Sequence, residues 1–263
     1  MFLPVDDFHL STVAFGDPGK PVFLAHGGWV GSWELWQEPF QLMERDWRCI
    51  SYDHRGSGVT DAPASAISPQ ALVDDVFRVL DHYNVETCVL AGESLGALTA
   101  MTAALQRPDR IRGLVIVDGV TSAGTTPPHG MIAGIRADYP ATVQWFVDAC
   151  VPEPHSDHIR RWGRQILLRA DPEAAARMFE SYDEAPAVPV AEDIAQPTLI
   201  LHGEQDAVVP LATAQALAPR IPNAELVVLP GAGHVPTLTM PKRVVAEINA
   251  WWGRQGPSDE ARR

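Results

Sequence analysis

The sequence predicts an α/β protein: a mostly parallel central sheet flanked by helices, with a small helical cap inserted late in the chain. Three observations predict it. Short apolar runs alternate with amphipathic helical patterns from residue 8 to residue 252, which is how a parallel sheet with crossover helices reads. Several apolar runs end in turns that carry glycine beside a polar side chain, such as Gly92-Glu93-Ser94-Leu95-Gly96 and Gly231-Ala232-Gly233-His234. In open parallel sheets ligands bind beyond the carboxyl ends of the strands, so such turns point to a site. Between about 120 and 190 the strand signals stop while helical spacing continues. The boundaries are then a core of 1–119 and 191–263 and a helical cap of 120–190.

The elements follow in order. Phe8, Leu10, Val13 and Phe15 mark a first strand, closed by the turn Gly16-Asp17-Pro18-Gly19. Pro21 to Ala25 is a buried strand that runs into His26-Gly27-Gly28. Trp33, Trp36, Phe40 and Met43 recur at near-helical spacing and read as core packing. Cys49 to Tyr52 is the next strand, ending in Asp53-His54-Arg55-Gly56-Ser57-Gly58. Ser68-Pro69 is an N-cap followed by proline at the first helical position, and Leu72, Val73, Val76, Val79 and Leu80 share one face. Cys88 to Ala91 is apolar throughout, as in a strand buried on both faces, and a helix follows it up to Pro108. Gly113 to Val117 is another buried strand, ending in Asp118. In the cap, helices are expected from Pro140, around Ile159 to Ile166, and from Asp171-Pro172 to Tyr182. Strands return at Thr198–His202 and Glu225–Leu229, a helix from Val244 to Trp252 closes the fold, and the polar tail from Gly253 is expected to be disordered.

Composition narrows the function. The chain has 263 residues, 46% hydrophobic and 20% charged, enough for one large domain with a sizeable core. Its 20 Lys and Arg against 33 Asp and Glu give a net charge of −13. That balance argues against nucleic acid and anionic membranes as partners, because binding phosphate needs a basic surface. A small-molecule substrate is expected instead, and the oligomeric state is left open. No apolar run approaches a membrane span, and Met1 to Asp7 lacks the basic and apolar stretches of a secretory signal. Cys49, Cys88 and Cys150 are odd in number and far apart, so no disulfide or metal framework is expected. A reducing, cytoplasmic setting fits, with no cofactor and no metal.

The chemistry centres on Gly92-Glu93-Ser94-Leu95-Gly96. A strand before it and a helix after it make a tight turn that pushes Ser94 out at the strand's carboxyl end. The helix that follows directs its free N–H groups and positive dipole end at the same point, so Leu95 N–H is positioned for an oxyanion. Glu93 is read as capping this turn.

These motifs, with His26-Gly27-Gly28, Asp53-x-Arg55-Gly56-x-Gly58, Gly203-Glu204-Gln205-Asp206 and Gly231-Ala232-Gly233-His234, resemble the α/β-hydrolase fold family over essentially the whole chain. The family's loop at Asp53 often continues to serine where this chain has Thr60 two residues on; that loop is read as structural, as is His26. The resemblance implies a serine hydrolase with Ser94 as nucleophile, His234 as base and Asp206 as the acid that orients it, in the family's chain order. Asp118 is the rival acid, at a strand end that some relatives use. The second oxyanion donor is expected from Gly28 N–H, with Trp29 N–H as runner-up.

Apolar cap residues favour an ester or lactone of a small, largely apolar substrate. Trp29, Trp145, Trp162, Met178 and Phe179 are the candidates for lining its pocket. Cap arginines such as Arg136, Arg160, Arg161 and Arg164 are read as solvated helix faces. A C–C bond hydrolase of diketones would use the same triad, and a ligand receptor on this fold could retain one, so both stay open. Dehalogenase and epoxide hydrolase readings are weak, since relatives with those activities carry Asp where Ser94 stands.

Overall fold

The computed structural model describes residues 1–121, 130–184 and 190–255. Residues 122–129 and 185–189 of the expected cap, and 256–263 of the expected disordered tail, lie outside the described residues. In chain order the elements are β1 (Phe2–Val5), β2 (Phe8–Phe15), β3 (Val22–His26), α1 (Gln37–Met43), β4 (Arg48–Asp53), α2 (Pro69–His82), β5 (Cys88–Glu93), α3 (Gly96–Gln106) and β6 (Ile111–Val117). There follow α4 (Met131–Ala137), α5 (Tyr139–Cys150), α6 (Asp157–Leu167), α7 (Pro172–Asp183), β7 (Thr198–Gly203), α8 (Leu211–Leu217), β8 (Ala224–Leu229), α9 (Pro236–Thr239) and α10 (Pro241–Arg254).

One eight-stranded sheet runs β1-β2-β4-β3-β5-β6-β7-β8. The β1–β2 and β2–β4 pairs are antiparallel and every later pair is parallel. The inner strands are buried on both faces, which is why Cys88–Ala91 and Leu114–Val117 show no alternation. The chain leaves β3 to one side for β4 and returns on the other side for β5. That reversal opens a crevice at the carboxyl ends of β3 and β5. Gly28 and Ser94 follow those two strands.

Local chemistry sets the helices. Ser68 Oγ accepts the Ala71 N–H at 3.2 Å and Pro69 begins α2, a cap worth about 1 kcal/mol. The expected apolar face of α2 is buried, together with Asp75. Asp75 takes Arg55 Nε at 2.6 Å and Arg55 Nη2 at 2.9 Å, so the loop after β4 is pinned to α2. Asp138 caps α5 and Asp171 caps α7 in the same way as Ser68.

The sequence reading missed β1, α4, α8 and α9. β1 is a four-residue edge strand with Pro4 in it and only Val5 buried, so it has neither the length nor the alternation of a strand signal. The three helices span seven, seven and four residues, too short for a helical period to stand out.

Candidate active site

Ser94 stands between β5 and α3 with φ +53°, a left-handed backbone that a serine adopts only under constraint. The constraint is close packing of strand on helix: a Cβ on Gly92 would lie 2.6 Å from Gly96 O. Only glycine allows that approach, and the turn then projects the serine side chain toward the crevice.

His234 lies after β8, in the loop before α9. Its Nε2 is 2.8 Å from Ser94 Oγ and its Nδ1 is 2.7 Å from Asp206 Oδ2. Asp206 follows β7, and its Oδ1 accepts the N–H groups of Val208 and Val209 at 2.8 and 2.9 Å. That leaves Oδ2 to accept Nδ1–H, so the neutral ring offers the Nε2 lone pair to the serine hydroxyl. Such a chain can take the Ser94 proton as Oγ attacks a carbonyl.

Asp118 has a different place. It is fully buried at the end of β6, with φ +47°. Its Oδ1 accepts the Gly203 N–H at 2.7 Å, and its Oδ2 has no partner among the described residues. Burial, then the nearby Asp206, push its pKa well above the usual carboxylate range. Asp118, Asp206 and His234 offer atoms within 4.8 Å of one another, the spacing of a metal ligand set. Two of those groups are already hydrogen-bonded to each other.

Gly28 packs directly against Ser94. A Cβ there would lie 2.9 Å from Ser94 Cβ and 3.1 Å from Glu93 O, so only glycine lets this backbone approach the serine. His54 Nε2–H donates to Gly28 O at 2.8 Å and holds the carbonyl. Sequence reasoning passed over His54, because its motif reads as a structural loop. Leu95 is the N-cap of α3, where first-turn N–H groups have no partner inside the helix.

Glu93 does not cap the turn. Its carboxyl is buried beside the nucleophile and accepts the Thr237 hydroxyl at 2.9 Å. Burial pushes its pKa up to about 7, against the opposing pull of Thr237 and His234. The bond ties the strand end of Ser94 to α9, three residues beyond His234.

A pocket opens beside Ser94 and His234, lined among others by Leu35, Phe146, Val147, Ile159, Leu167 and Leu238. Helices α5 and α6 contribute Phe146, Val147, Ile159 and Leu167 to that lining, and Trp29 lies in it as well. The other four candidates do not. Trp145 is 53% exposed, on the outer face of α5. Trp162 donates its Nε1–H to Glu34 at 3.1 Å. Phe179 is stacked on Trp29 with centroids 5.3 Å apart, and Met178 is buried. Helix α7 holds Trp29 through Phe179 and through Ala175 O, which accepts the Trp29 Nε1–H at 2.8 Å. Arg136 of α4 pairs with Glu173 and Glu180 of α7 on the exposed side of the two helices.

No described helix is long and apolar enough to cross a membrane. The profile of the alpha/beta hydrolase family matches residues 22–248. A Klebsiella pneumoniae protein whose name describes it as a carbamate hydrolase is 27% identical over 235 residues, 84% of this chain and 87% of its own. 3-Oxoadipate enol-lactonase 2 of Acinetobacter baylyi is 24% identical over 247 residues, 91% of each chain. Among solved structures, the enol-lactonase of Burkholderia xenovorans superposes with a TM-score of 0.89 at 20% identity, covering 96% of this chain and 100% of that one.

Proposed function

The chain belongs to the alpha/beta hydrolase family, and from that premise we propose that it is a serine hydrolase cleaving an ester or lactone of a small, largely apolar substrate through an acyl-enzyme. The observation that carries this is the chain Ser94 Oγ, His234 Nε2, His234 Nδ1, Asp206 Oδ2, with links of 2.8 and 2.7 Å, at the wall of an apolar pocket. Ser94 Oγ attacks the carbonyl carbon as its proton passes to His234 Nε2. Gly28 N–H and Leu95 N–H face the developing oxyanion. The carbon–oxygen bond to the alcohol breaks, and the alcohol leaves with the proton from His234. Water repeats the sequence on the acyl-serine, releasing the acid and restoring Ser94. The cycle uses side chains, backbone and water alone.

A second reading, carbamate hydrolysis, is favoured by the relative named for that activity; its chemistry runs through the same steps. The test is a panel of p-nitrophenyl esters, lactones, carbamates and vinylogous diketones, assayed with wild type and Ser94→Ala. The proposal expects ester or lactone turnover that is lost in Ser94→Ala. Carbamates as the best substrates select the second reading. Preferred diketone cleavage makes it a C–C bond hydrolase, and binding without turnover makes it a receptor.

A further inference from the structure

Two hydrogen bonds join the cap to the loop that carries His234. His234 N–H donates to Cys150 O at 2.8 Å, and Gly233 N–H donates to Glu153 Oε1 at 2.8 Å. Cys150 is the last residue of α5, and Glu153 lies in the connection to α6. Glu153 is 8% exposed, and its Oε2 is buried without a partner among the described residues. A buried carboxyl oxygen left unpaired opposes folding. The bond that Oε1 accepts from Gly233 gives a reason to keep a carboxyl in the α5–α6 connection.

The loop has little freedom on either side. A Cβ on Gly233 would lie 2.3 Å from Pro152 Cδ and 2.6 Å from Cys150 O. A Cβ on Gly203, at the end of β7, would lie 2.0 Å from Gly233 O. Gly233 is therefore held between the sheet and the α5–α6 connection. Its peptide precedes His234 directly, so its orientation sets where the imidazole begins.

We propose that Glu153 is a positioning residue for the base: by accepting the Gly233 N–H it holds the His234 loop against the cap and fixes the reach of Nε2 to Ser94. The inference rests on the reading of His234 as the base. It makes the cap part of the catalytic frame as well as a wall of the pocket. The bond needs an acceptor at Oε1 and no charge, so glutamine serves and alanine does not.

The test compares wild type, Glu153→Gln, Glu153→Ala and Glu153→Asp. The readouts are kcat and KM for a p-nitrophenyl ester, the rate of fluorophosphonate labelling, and thermal melts. Glu153→Gln is expected within about threefold of wild type in every rate. Glu153→Ala and Glu153→Asp are expected to lose on the order of tenfold to a hundredfold in kcat at unchanged KM, with labelling slowed in parallel, since a displacement of about an ångström costs that much. A folded Glu153→Ala with kcat within about twofold of wild type overturns the proposal. So does a Glu153→Gln variant as slow as Glu153→Ala, or a loss confined to KM. If Glu153→Ala does not fold, Glu153→Asp decides alone, because it keeps the carboxylate but falls short of the amide. Ser94→Ala and His234→Ala are measured alongside: should they stay active, the triad reading fails, whereas inactive triad variants with a fully active Glu153→Ala sink this inference only.

Discussion

Asp118 and Asp206 bring carboxyl oxygens within 4.8 Å of each other, yet it is Asp206 that hydrogen-bonds His234, at 2.7 Å. A second buried carboxyl group this close disfavours ionisation of Asp118. Burial, then Asp206, push the Asp118 pKa well above the usual carboxylate range, and one of its oxygens accepts the Gly203 N–H. The two carboxyl groups have separate tasks: Asp118 holds the Gly203 N–H and Asp206 holds His234.

Asparagine substitution separates those tasks. Asp118→Asn keeps the shape of the side chain and an oxygen for the Gly203 N–H, so kcat should stay within about tenfold of wild type. Asp206→Asn removes the acceptor that sets the His234 tautomer and should cost on the order of 10⁴ in kcat. Steady-state rates of the two variants check this. The opposite ranking moves the orienting acid to Asp118.

Glu93 gives the protein a pH-dependent stability. Its pKa is about 7 in the fold against an ordinary 4.5, so the folded state holds this proton more tightly than the unfolded chain. Its contribution is therefore fully present below about 4.5 and is lost as the pH rises to about 7. The size is roughly 3 kcal/mol, at about 1.4 kcal/mol per pH unit. Glu93→Gln should gain stability over wild type at pH 8 and little at pH 5. Urea melts at both values decide it, and an equal pH dependence in the two proteins removes Glu93 as the source.

The pocket wall should select substrate through α5 and α6. Phe146→Ala and Leu167→Ala enlarge it and should raise kcat/KM for longer acyl or alcohol chains relative to short ones. Trp145→Ala, at a side chain 53% exposed, should change neither the ranking nor the melt. Phe179→Ala removes the ring stacked on Trp29 and should cost roughly 3–5 kcal/mol of stability. A chain-length series with melts measures all four. An unchanged ranking in Phe146→Ala and Leu167→Ala would leave the wall as plain packing.

The sequence carried most of the core, because inner strands and their turns leave local marks. Cys88–Ala91 before Gly92-x-Ser94-x-Gly96 needed no tertiary information to read. The helices between β6 and β7 did not yield in the same way. Helical spacing showed that α5, α6 and α7 each have an apolar face, but nothing local says which face meets the pocket and which meets Trp29. Trp145 and Phe146 are adjacent in the chain, and a shift of one residue on a helix puts one in solvent and the other beside His234. Glu153 was invisible for a related reason: its partner is the backbone of Gly233, and backbone acceptors and donors have no signature in a sequence.

The most direct measurement is the site of covalent capture. Wild type is treated with a fluorophosphonate, and separately quenched in acid during turnover of a p-nitrophenyl ester; peptides are then read by mass spectrometry. The account predicts a phosphonyl adduct and an acyl adduct on Ser94, with neither adduct nor turnover in Ser94→Ala. Adducts on another residue, or hydrolysis that persists in Ser94→Ala, would contradict it.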